Sequence, residues 1–381
     1  MPENNKHKRL TFFTPTLNRT GSEIVLFNLL NKISNQFKVA VITKYKGALL
    51  DLLPLNIKRK FLYKKPIKYS LPINSTTLKR LFETDYPKFI FSIKVWGYRN
   101  TVWYVNTITL PEVIEYAEKH NIQVIVHLHE LEHFYGGLSN KQLKRLMEYP
   151  SLIIANSNIT AKVLSDHGRK SNVEICHPGI KTQEIVKDKS AYSNFRKKLG
   201  IADNIFLWVM SGSMDENKNP YLFVDAAYEV LKTCPNTMFM WIGATENELL
   251  KKCKEKVTEF GLETKTIWLE NKSSDYYNYF NCADGFVLTS LRESFSIVTV
   301  EALLLELPVV AQDCGGVREI LENDIGQIIE ELNSPTLMAQ AMIKYMSGKL
   351  VADVNKGKIR AKKFDIDEVA TKWNQLLTNY I

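Results

Sequence analysis

The chain has 381 residues, a length that suits two domains better than a single hydrophobic core. Its hydrophobic content of 45% and charged content of 24% are ordinary for a globular protein, and no uncharged apolar run approaches the length of a membrane span. The net charge is +9, but residues 1–100 hold 19 Lys and Arg against 5 Asp and Glu, which predicts attraction to an anionic surface such as phospholipid or a lipid-linked phosphate.

A solvated, lysine-rich surface is the alternative interpretation of this charge. Nucleic acid is the least favoured partner, because the sequence has no zinc finger and no RNP-like aromatic motif that would supply base readout. The five cysteines are scattered without a C-x-x-C pair, which argues against a disulfide framework and a structural zinc site. With a polar, basic N-terminus that does not resemble a signal peptide, the sequence predicts a cytoplasmic protein.

Strand and helix patterns alternate along the first half of the chain. Apolar runs predict strands in RLTFFTP, KVAVIT, TVWYVNT, IQVIVHLHE and SLIIANS. Helical spacing predicts helices in GSEIVLFNLLNKIS, LPEVIEYAEKH and NITAKVLSDHG. Residues 45–80 are expected to be irregular and basic, and the stretch from CHPGIKTQEI to VKDKSAYSN is expected to connect two domains.

The same alternation starts again in the second half. Strands are predicted in IFLWVMSGS, TMFMWIG, TIWLE, GFVLTS, LPVVAQD and GQIIE, and helices between and after them, including one that begins in GGVREILEN. Alternating strands and helices favour parallel sheets. We therefore predict an α/β fold with two Rossmann-like, doubly wound domains, residues 1–190 and 191–360, and a C-terminal helix in residues 361–381 that packs back towards the first domain.

Two glutamates flank the apolar run that follows the strand GFVLTS. Glu293 lies at the carboxyl end of that strand, where doubly wound folds bind their ligands. A helix is predicted to begin near Ser296, so the backbone N–H groups from Ser294 through Phe295 to Ile297 can receive a phosphate. Glu301 follows one to two turns into the helix. A carboxylate buried there needs donors, and a ribose diol supplies them.

Gly315 and Gly316 precede the next predicted helix, in CGGVREI. Because glycine lets the backbone approach a ligand closely, the pair is a second possible phosphate or sugar cradle. Each feature alone has a plainer explanation, since Glu301 could face solvent and the glycines could only turn the chain. The ordered combination of strand, Glu, helix with a second Glu, strand and Gly-Gly is more specific.

This segment resembles the E-x7-E signature of retaining GT-B glycosyltransferases, specifically glycosyltransferase family 4. The matching residues are Ser290, Glu293, Ser294, Phe295, Ser296, Glu301, Ala302, Pro308, Gly315, Gly316 and Glu319. The resemblance extends over nearly the whole chain. It implies two Rossmann-like domains that face each other across a cleft, with the acceptor on the first and a nucleotide-sugar donor on the second.

Two N-terminal motifs resemble the same family. TPTLNRTGSEIVLFNLL resembles its glycine loop, with Gly21 and Glu23 retained and Thr20 in place of the first glycine. VIVHLHE resembles the strand that ends in the family's active-site histidine, which position matches to His129. His127 is the alternative, because it alternates onto the same face of the strand.

VMSGSMDENKNP resembles the family's phosphate clamp. Lys218 occupies the lysine position, Ser213 stands where arginine is common, and Asn219 where glycine is. The exchange of arginine for serine removes a bidentate donor, and Arg292 is the residue that could compensate.

The resemblance implies a retaining transfer from a nucleotide-diphosphate sugar, without a cofactor or a metal. Lys218, Arg292 and the helix N-termini after Glu293 and Gly316 would stabilise the departing diphosphate. Glu301 would hold the ribose, Glu293 the donor sugar, and His129 would contact the sugar from the other domain. The sequence has no Asp-x-Asp motif near these residues; its nearest approach, Asp365-Ile366-Asp367, lies in the C-terminal tail.

The expected acceptor is a glycan, either lipid-linked or part of a surface polysaccharide, with the enzyme peripheral at the inner face of the membrane. Two alternatives stay open. One is another GT-B enzyme, such as a nucleotide-sugar epimerase or a phosphorylase. The other is a non-catalytic sugar-nucleotide or glycan-binding protein, for which Ser213 and Thr20 are the motive.

Overall fold

The computed structural model describes residues 8–18, 21–63, 86–270, 275–321 and 324–381. The chain divides into two compact units, the first made of Met1–Gly179 with Ile366–Ile381 and the second of Ile180–Asp365. Each unit is built on one parallel sheet, so the predicted α/β class with two Rossmann-like domains is confirmed.

The described residues of the first unit form a seven-stranded parallel sheet. Its strands are β1 (Lys8–Thr14), β2 (Phe37–Tyr45), β3 (Lys58–Tyr63), β4 (Val102–Val105), β5 (Val124–Leu128), β6 (Leu152–Ala155) and β7 (Val173–Ile175). They lie in the order β3-β2-β1-β4-β5-β6-β7. The strand order reverses at β1, which places a topological switch point between β1 and β4.

The described residues of the second unit form a six-stranded parallel sheet. Its strands are β8 (Phe206–Ser211), β9 (Thr237–Ile242), β10 (Thr266–Leu269), β11 (Gly285–Leu288), β12 (Val309–Gln312) and β13 (Gly326–Ile329). They lie in the order β10-β9-β8-β11-β12-β13, with the switch point between β8 and β11. β11 and β12 are buried along their whole length, as expected for strands covered on both faces.

Helices connect the strands of both sheets. In chain order they are α1 (Gly21–Asn31), α2 (Tyr86–Val95), α3 (Pro111–Lys119), α4 (Asn140–Glu148), α5 (Asn158–Asp166), α6 (Lys189–Lys198), α7 (Pro220–Leu231), α8 (Glu248–Glu259), α9 (Tyr276–Asn281), α10 (Ile297–Leu304), α11 (Pro335–Met346), α12 (Val354–Lys362) and α13 (Ile366–Tyr380). Short 3-10 turns at Glu216–Lys218 and Gly316–Glu319 follow β8 and β12.

Strand β3 lies inside the stretch that the sequence predicted to be irregular. It lies at one edge of the first sheet, as described, and pairs with β2, with Lys58 opposite Ala40 and Phe61 opposite Thr43. Its three cationic residues interrupt the apolar pattern by which a strand is predicted. Charged residues are nevertheless common on edge strands, because they discourage pairing with other chains. The remainder of that prediction, from residue 64 onwards, lies outside the described residues.

The chain passes from the first unit to the second after Gly179, earlier than the predicted boundary near residue 190. Within the second unit, Ile180 forms a parallel bridge with Asp365, and its N–H donates to Phe364 O at 2.9 Å. Residue 190 falls inside α6, a helix that the sequence prediction missed and that Asp188 caps at its N-terminus. The second unit is therefore already established at residue 190.

The C-terminal helix α13 belongs to the first unit. Trp373 is fully buried there, and its indole Nε1–H donates to Tyr104 Oη at 3.0 Å. Gly179 lies against the start of this helix, where an added Cβ would come within 2.7 Å of Ile366 Cδ1. The last 16 residues of the chain thus complete the core of the first unit.

Candidate active site

The sequence-predicted residues of the second unit lie on three loops that follow β8, β11 and β12, except Ile297 and Glu301, which lie on helix α10. Thr289 Oγ1 donates to Lys218 O at 2.8 Å, and Asn217 Nδ2 donates to Arg292 O at 2.9 Å. Since β8, β11 and β12 are neighbours in the sheet, their carboxyl ends bring these loops together at the switch point.

Lys218 and Glu293 form an ion pair between the first two loops. Lys218 Nζ lies 2.5 Å from Glu293 Oε1, and the two side chains are only 20% and 13% exposed. The Asp215 carboxylate accepts the N–H of Lys218 at 3.0 Å, which fixes the 3-10 turn that carries the lysine. Gly212 leaves room for the lysine stem, because a Cβ there would lie 3.1 Å from it. The pair places one cation and one carboxylate side by side at the sheet edge.

Gly315 and Gly316 lie where the loop after β12 contacts the loop after β11. Glu293 N–H donates to Cys314 O, and Gly316 N–H donates to Glu293 O, both at 2.8 Å. A Cβ at Gly316 would lie 2.2 Å from Ser294 O, so only glycine fits there. Gly315 adopts φ +98°, a backbone conformation that side chains disfavour.

This arrangement corrects the prediction of a helix that begins after Gly316. The structure has only the 3-10 turn Gly316–Glu319 at this point. The N–H of Gly316 is already bonded to Glu293 O, since the backbone here pairs with the Glu293 loop. Gly315 and Gly316 therefore hold the Glu293 loop in place, and the predicted helix N-terminus is absent.

Helix α10 begins as predicted, immediately after Ser296. Ser296 is buried, and its hydroxyl lies 2.8 Å from Thr299 Oγ1. Phe295 packs its ring against Phe364 with centroids 5.0 Å apart. These two contacts anchor the start of α10, so that its first residue, Ile297, follows a fixed loop from Glu293 and Ser294.

Glu301 lies buried in the second turn of α10, and two tyrosines of α9 bond its carboxylate. Tyr276 Oη donates to Oε2 at 2.8 Å, and Tyr277 Oη donates to Oε1 at 3.0 Å. Burial raises the pKa of Glu301 to about 7, although the two tyrosine hydrogen bonds act in the opposite direction. Its carboxyl group therefore changes charge near neutral pH.

The sequence analysis missed both tyrosines. Their only signal is the pair of adjacent aromatic residues at the start of YYNYFN, which in a short helix is more often a packing feature. The contact joins residues about 25 positions apart, and no local pattern indicates it.

Gln312 was also missed, although it sets the start of the Glu293 loop. Its buried amide Nε2 donates to Thr289 O at 2.5 Å and to Ser290 O at 2.8 Å, and Oε1 accepts Asn333 N–H at 3.0 Å. A single glutamine at the end of an apolar strand carries no sequence signal for such a role.

The two clamp departures, Ser213 and Asn219, and the compensating candidate Arg292 have distinct environments. The Ser213 hydroxyl donates to the Asp215 carboxylate. Asn219 adopts φ 52° and ψ 61°, a left-handed conformation that glycine takes freely and that asparagine tolerates better than most residues. Arg292 is exposed, and within the described ranges its guanidinium has no hydrogen bond or ion pair. Asparagine thus meets the backbone requirement for glycine, whereas Ser213 brings no charge.

In the first unit, His129 lies just beyond the carboxyl end of β5. Its ring Nε2 lies 3.0 Å from Asn106 Oδ1, and its backbone N–H donates to the Glu130 carboxylate at 2.9 Å. Burial lowers the pKa of His129 to about 3, so the imidazole is neutral at physiological pH. With Nε2–H donating to the asparagine, Nδ1 is left as an acceptor.

His127, the alternative candidate, is a core residue. It is 1% exposed, and its Nδ1 shares a hydrogen bond with Tyr104 Oη at 2.7 Å. The same Tyr104 hydroxyl accepts from Trp373. His127 therefore links β4, β5 and α13 inside the first unit, and His129 is the histidine at the sheet edge.

The predicted glycine loop lies at the end of β1. The buried Glu23 carboxylate accepts hydrogen bonds from the Thr16 hydroxyl and from Asn18 N–H, the latter at 2.9 Å, and so ties this loop to α1. Gly21 is exposed, and a Cβ there would meet nothing within 4 Å. Thr20 lies outside the described residues.

Within the described ranges, no three His, Cys, Asp or Glu side chains are grouped closely enough to hold a metal ion. None of the described helices is both long enough and apolar enough to span a membrane.

Comparison with known proteins gives a family match in the second unit. Residues 192–364 match the family model described as "Glycosyl transferases group 1". An uncharacterised glycosyltransferase of Methanocaldococcus jannaschii is 22% identical over 314 residues, which cover 73% of this chain and 76% of that protein. A Campylobacter jejuni protein named GalNAc-alpha-(1->4)-GalNAc-alpha-(1->3)-diNAcBac-PP-undecaprenol alpha-1,4-N-acetyl-D-galactosaminyltransferase is 21% identical, over 97% of this chain and 98% of its own.

Solved structures share the fold over nearly the whole chain. Anabaena Alr3699/HepE, in complex with UDP and glucose, superimposes with a TM-score of 0.81 at 20% identity and covers 98% of this chain and 100% of that one. WaaG, a glycosyltransferase involved in lipopolysaccharide biosynthesis, gives a TM-score of 0.74 at 14% identity, over 97% and 99% of the two chains.

Proposed function

We propose that this chain is a retaining, metal-independent glycosyltransferase of the family 4 type, because it shares the GT-B fold and its residues 192–364 match the group 1 family model. It would transfer a sugar from a nucleotide-diphosphate donor to a lipid-linked or polysaccharide glycan. The observation that carries this proposal is the Lys218–Glu293 ion pair at the switch point of the second sheet, with the buried Glu301 on the helix that follows the Glu293 loop.

The departing diphosphate needs positive charge nearby. When the bond between the anomeric carbon and the β-phosphate oxygen breaks, the bonding electrons stay on the phosphate. Lys218 would supply that charge, and the first N–H groups of α10 would be further donors. Arg292 would add a second cation, since its guanidinium has no partner within the described ranges. This supports catalysis without a metal.

Glu293 and Glu301 would recognise different parts of the donor. Glu293 stands beside Lys218, so its carboxylate would accept hydroxyls of the transferred sugar while the lysine binds phosphate. Glu301 lies deeper in α10 and would accept the ribose hydroxyls. In the first unit, neutral His129 would contact the sugar through its Nδ1.

The acceptor proposal rests on the relatives and on charge. The Campylobacter relative is named for an undecaprenol-linked acceptor, and residues 1–100 of this chain are strongly basic. Phe89, Ile93 and Trp96 are each more than half exposed, and their spacing places them on one face of α2 and the turn that follows. An apolar face on a basic unit suits a peripheral contact with anionic phospholipid.

Flotation with vesicles tests the membrane contact. Wild-type protein should float with anionic vesicles at low salt and much less with neutral ones, and serine at Phe89, Ile93 and Trp96 should abolish flotation. The matched control replaces two exposed residues of the second unit, Val351 and Ile359, and should float normally. Equal flotation of all forms with neutral vesicles would contradict the proposal.

Proton NMR of the reaction tests retention and metal independence together. Purified protein is incubated with UDP-sugars and a short-chain polyprenyl diphosphate glycan in excess EDTA. The expected product has the same anomeric configuration as the donor. Inversion, or strict dependence on added metal, would overturn the proposed mechanism. Donor binding without any turnover would favour the non-catalytic alternative, for which the uncharged Ser213 is the structural motive.

A further inference from the structure

The hydrogen bonds around Glu301 are symmetric. Tyr276 bonds one carboxylate oxygen and Tyr277 bonds the other, at 2.8 Å and 3.0 Å. A carboxylate offers about four acceptor positions, two on each oxygen. Among the residues that the structure describes, no other group bonds this carboxylate, so each oxygen has one acceptor position left in the carboxylate plane.

The two tyrosines are themselves held in place. Tyr276 Oη lies 2.9 Å from Ser211 Oγ, at the end of β8. Its ring stacks on Phe280 with centroids 5.7 Å apart and an interplanar angle of 17°. Tyr277 packs edge-on against Tyr276, with centroids 5.0 Å apart. The orientation of the Glu301 carboxylate is thus fixed from β8 through α9.

A fixed carboxylate with one open position on each oxygen matches a vicinal diol. The 2′- and 3′-hydroxyls of a ribose are such a pair, and each can donate to a different oxygen. A ligand that lacks one hydroxyl leaves a buried acceptor unpaired, and sites built this way discriminate strongly against it.

We propose that Tyr276 and Tyr277 are positioning residues that make Glu301 selective for the diol of a ribonucleoside diphosphate. The donor is then a ribonucleotide sugar, and sugars carried on 2′-deoxynucleotides such as thymidine diphosphate are rejected. This inference rests on the proposed function, because it assumes that Glu301 holds the donor ribose.

Titration calorimetry with matched nucleotides tests the inference. The full chain is titrated with UDP and 2′-deoxyuridine diphosphate, and likewise with GDP and ADP and their 2′-deoxy forms. Wild-type protein should bind one ribonucleotide about 10- to 100-fold more tightly than its deoxy form, the range of one hydrogen bond to a charged group. In Tyr276→Phe and Tyr277→Phe this ratio should fall several-fold or more, mainly through weaker binding of the ribonucleotide.

Tyr279→Phe is the control, because Tyr279 lies on the same helix but packs its ring edge-on against Phe195, with centroids 5.0 Å apart. It should keep the wild-type ratio. Each substitution retains the aromatic ring, so packing against Phe280 is preserved.

The possible failures are distinguishable. If wild-type protein binds no nucleoside diphosphate, the proposed function fails. If it prefers the ribonucleotide and Glu301→Gln removes that preference, but Tyr276→Phe and Tyr277→Phe keep the full ratio, the diol is read by Glu301 alone and the inference is overturned. Equal affinity of wild-type protein for ribo- and deoxynucleotides would overturn it as well.

Discussion

Glu301 couples the proposed nucleotide site to pH through its burial. Its pKa of about 7 in the folded protein lies above the ordinary value of 4.5. A raised carboxyl pKa means that the folded state binds the proton more tightly, so the stabilisation it gives is complete below about pH 4.5 and is lost as the pH rises to about 7. Tyr276 and Tyr277 are the titratable groups that act on this carboxyl, and their own pKa values lie above the ordinary range.

We predict that Glu301→Gln removes this pH dependence. Without nucleotide, the stability of wild-type protein relative to the variant should fall between pH 5 and pH 8, by up to about 3 kcal/mol. Urea denaturation at several pH values measures the difference in free energy of unfolding between the two proteins. His129, whose pKa is about 3 in the folded state, is present in both proteins, so its contribution cancels in this difference. A difference that stays constant from pH 5 to pH 8 would contradict the buried, ionisable state of Glu301.

For individual residues, the sequence predicted the charged side chains of the candidate site but not the side chains that fix their positions. Lys218 and Glu293 were predicted for the same site, and the structure pairs them. Tyr276, Tyr277 and Gln312 were not found, because their contacts join distant parts of the chain and their residue types are common in cores. The roles in binding and catalysis assigned to all of the site residues stay predictions.

The loops after β11 and β12 depend on one another through backbone contact. Gly316 has no space for a side chain beside Ser294 O, and its N–H bonds Glu293 O. The Glu293 loop can keep its position only while this close approach is maintained.

We predict that Gly316→Ala separates the two loops, since the Cβ would lie 2.2 Å from a backbone oxygen. Stability should fall by about 1–3 kcal/mol, as in other overpacked sites, and nucleotide binding should weaken with it. Thermal denaturation and calorimetry measure the two effects. Gly136→Ala is the control, because a Cβ there meets nothing within 4 Å, and it should be close to wild type. Similar stability of both variants would contradict the contact.

Elements with a strong apolar period were predicted well, whereas those with charged or mixed sequences were not. The buried strands β11 and β12 and the helix α10 occur where their patterns placed them. Helix α6 was missed because its sequence, KSAYSNFRKK, has few apolar residues; it is anchored by Arg196, which is buried and bonds Asp284 at 2.9 Å. Such an anchor depends on the fold and leaves no periodic signal.

The whole chain is needed to build the first unit, since α13 returns to it from the end of the second. Trp373 fills its core and bonds Tyr104, which in turn bonds His127. The sequence analysis expected a C-terminal helix that packs back towards the first domain, although periodicity alone does not determine which unit a helix covers.

We predict that Trp373→Ala destabilises the first unit by about 3–5 kcal/mol, the usual cost of deleting a large buried aromatic side chain. Lys372→Ala, at the neighbouring exposed position, should be close to wild type. Hydrogen exchange followed by mass spectrometry localises the effect, with faster exchange expected in β4 and β5. Unchanged exchange in these strands would show that α13 is not part of that core.

The measurement that tests the central claim most directly is calorimetric titration of the full chain with UDP, GDP and ADP in excess EDTA. We expect one nucleoside diphosphate to bind without metal, and we expect Glu301→Gln and Lys218→Met each to weaken this binding about tenfold or more while Tyr279→Phe leaves it unchanged. No binding of any of the three, or binding that is equal in all variants, would contradict a nucleotide-sugar site built from Lys218, Glu293 and Glu301.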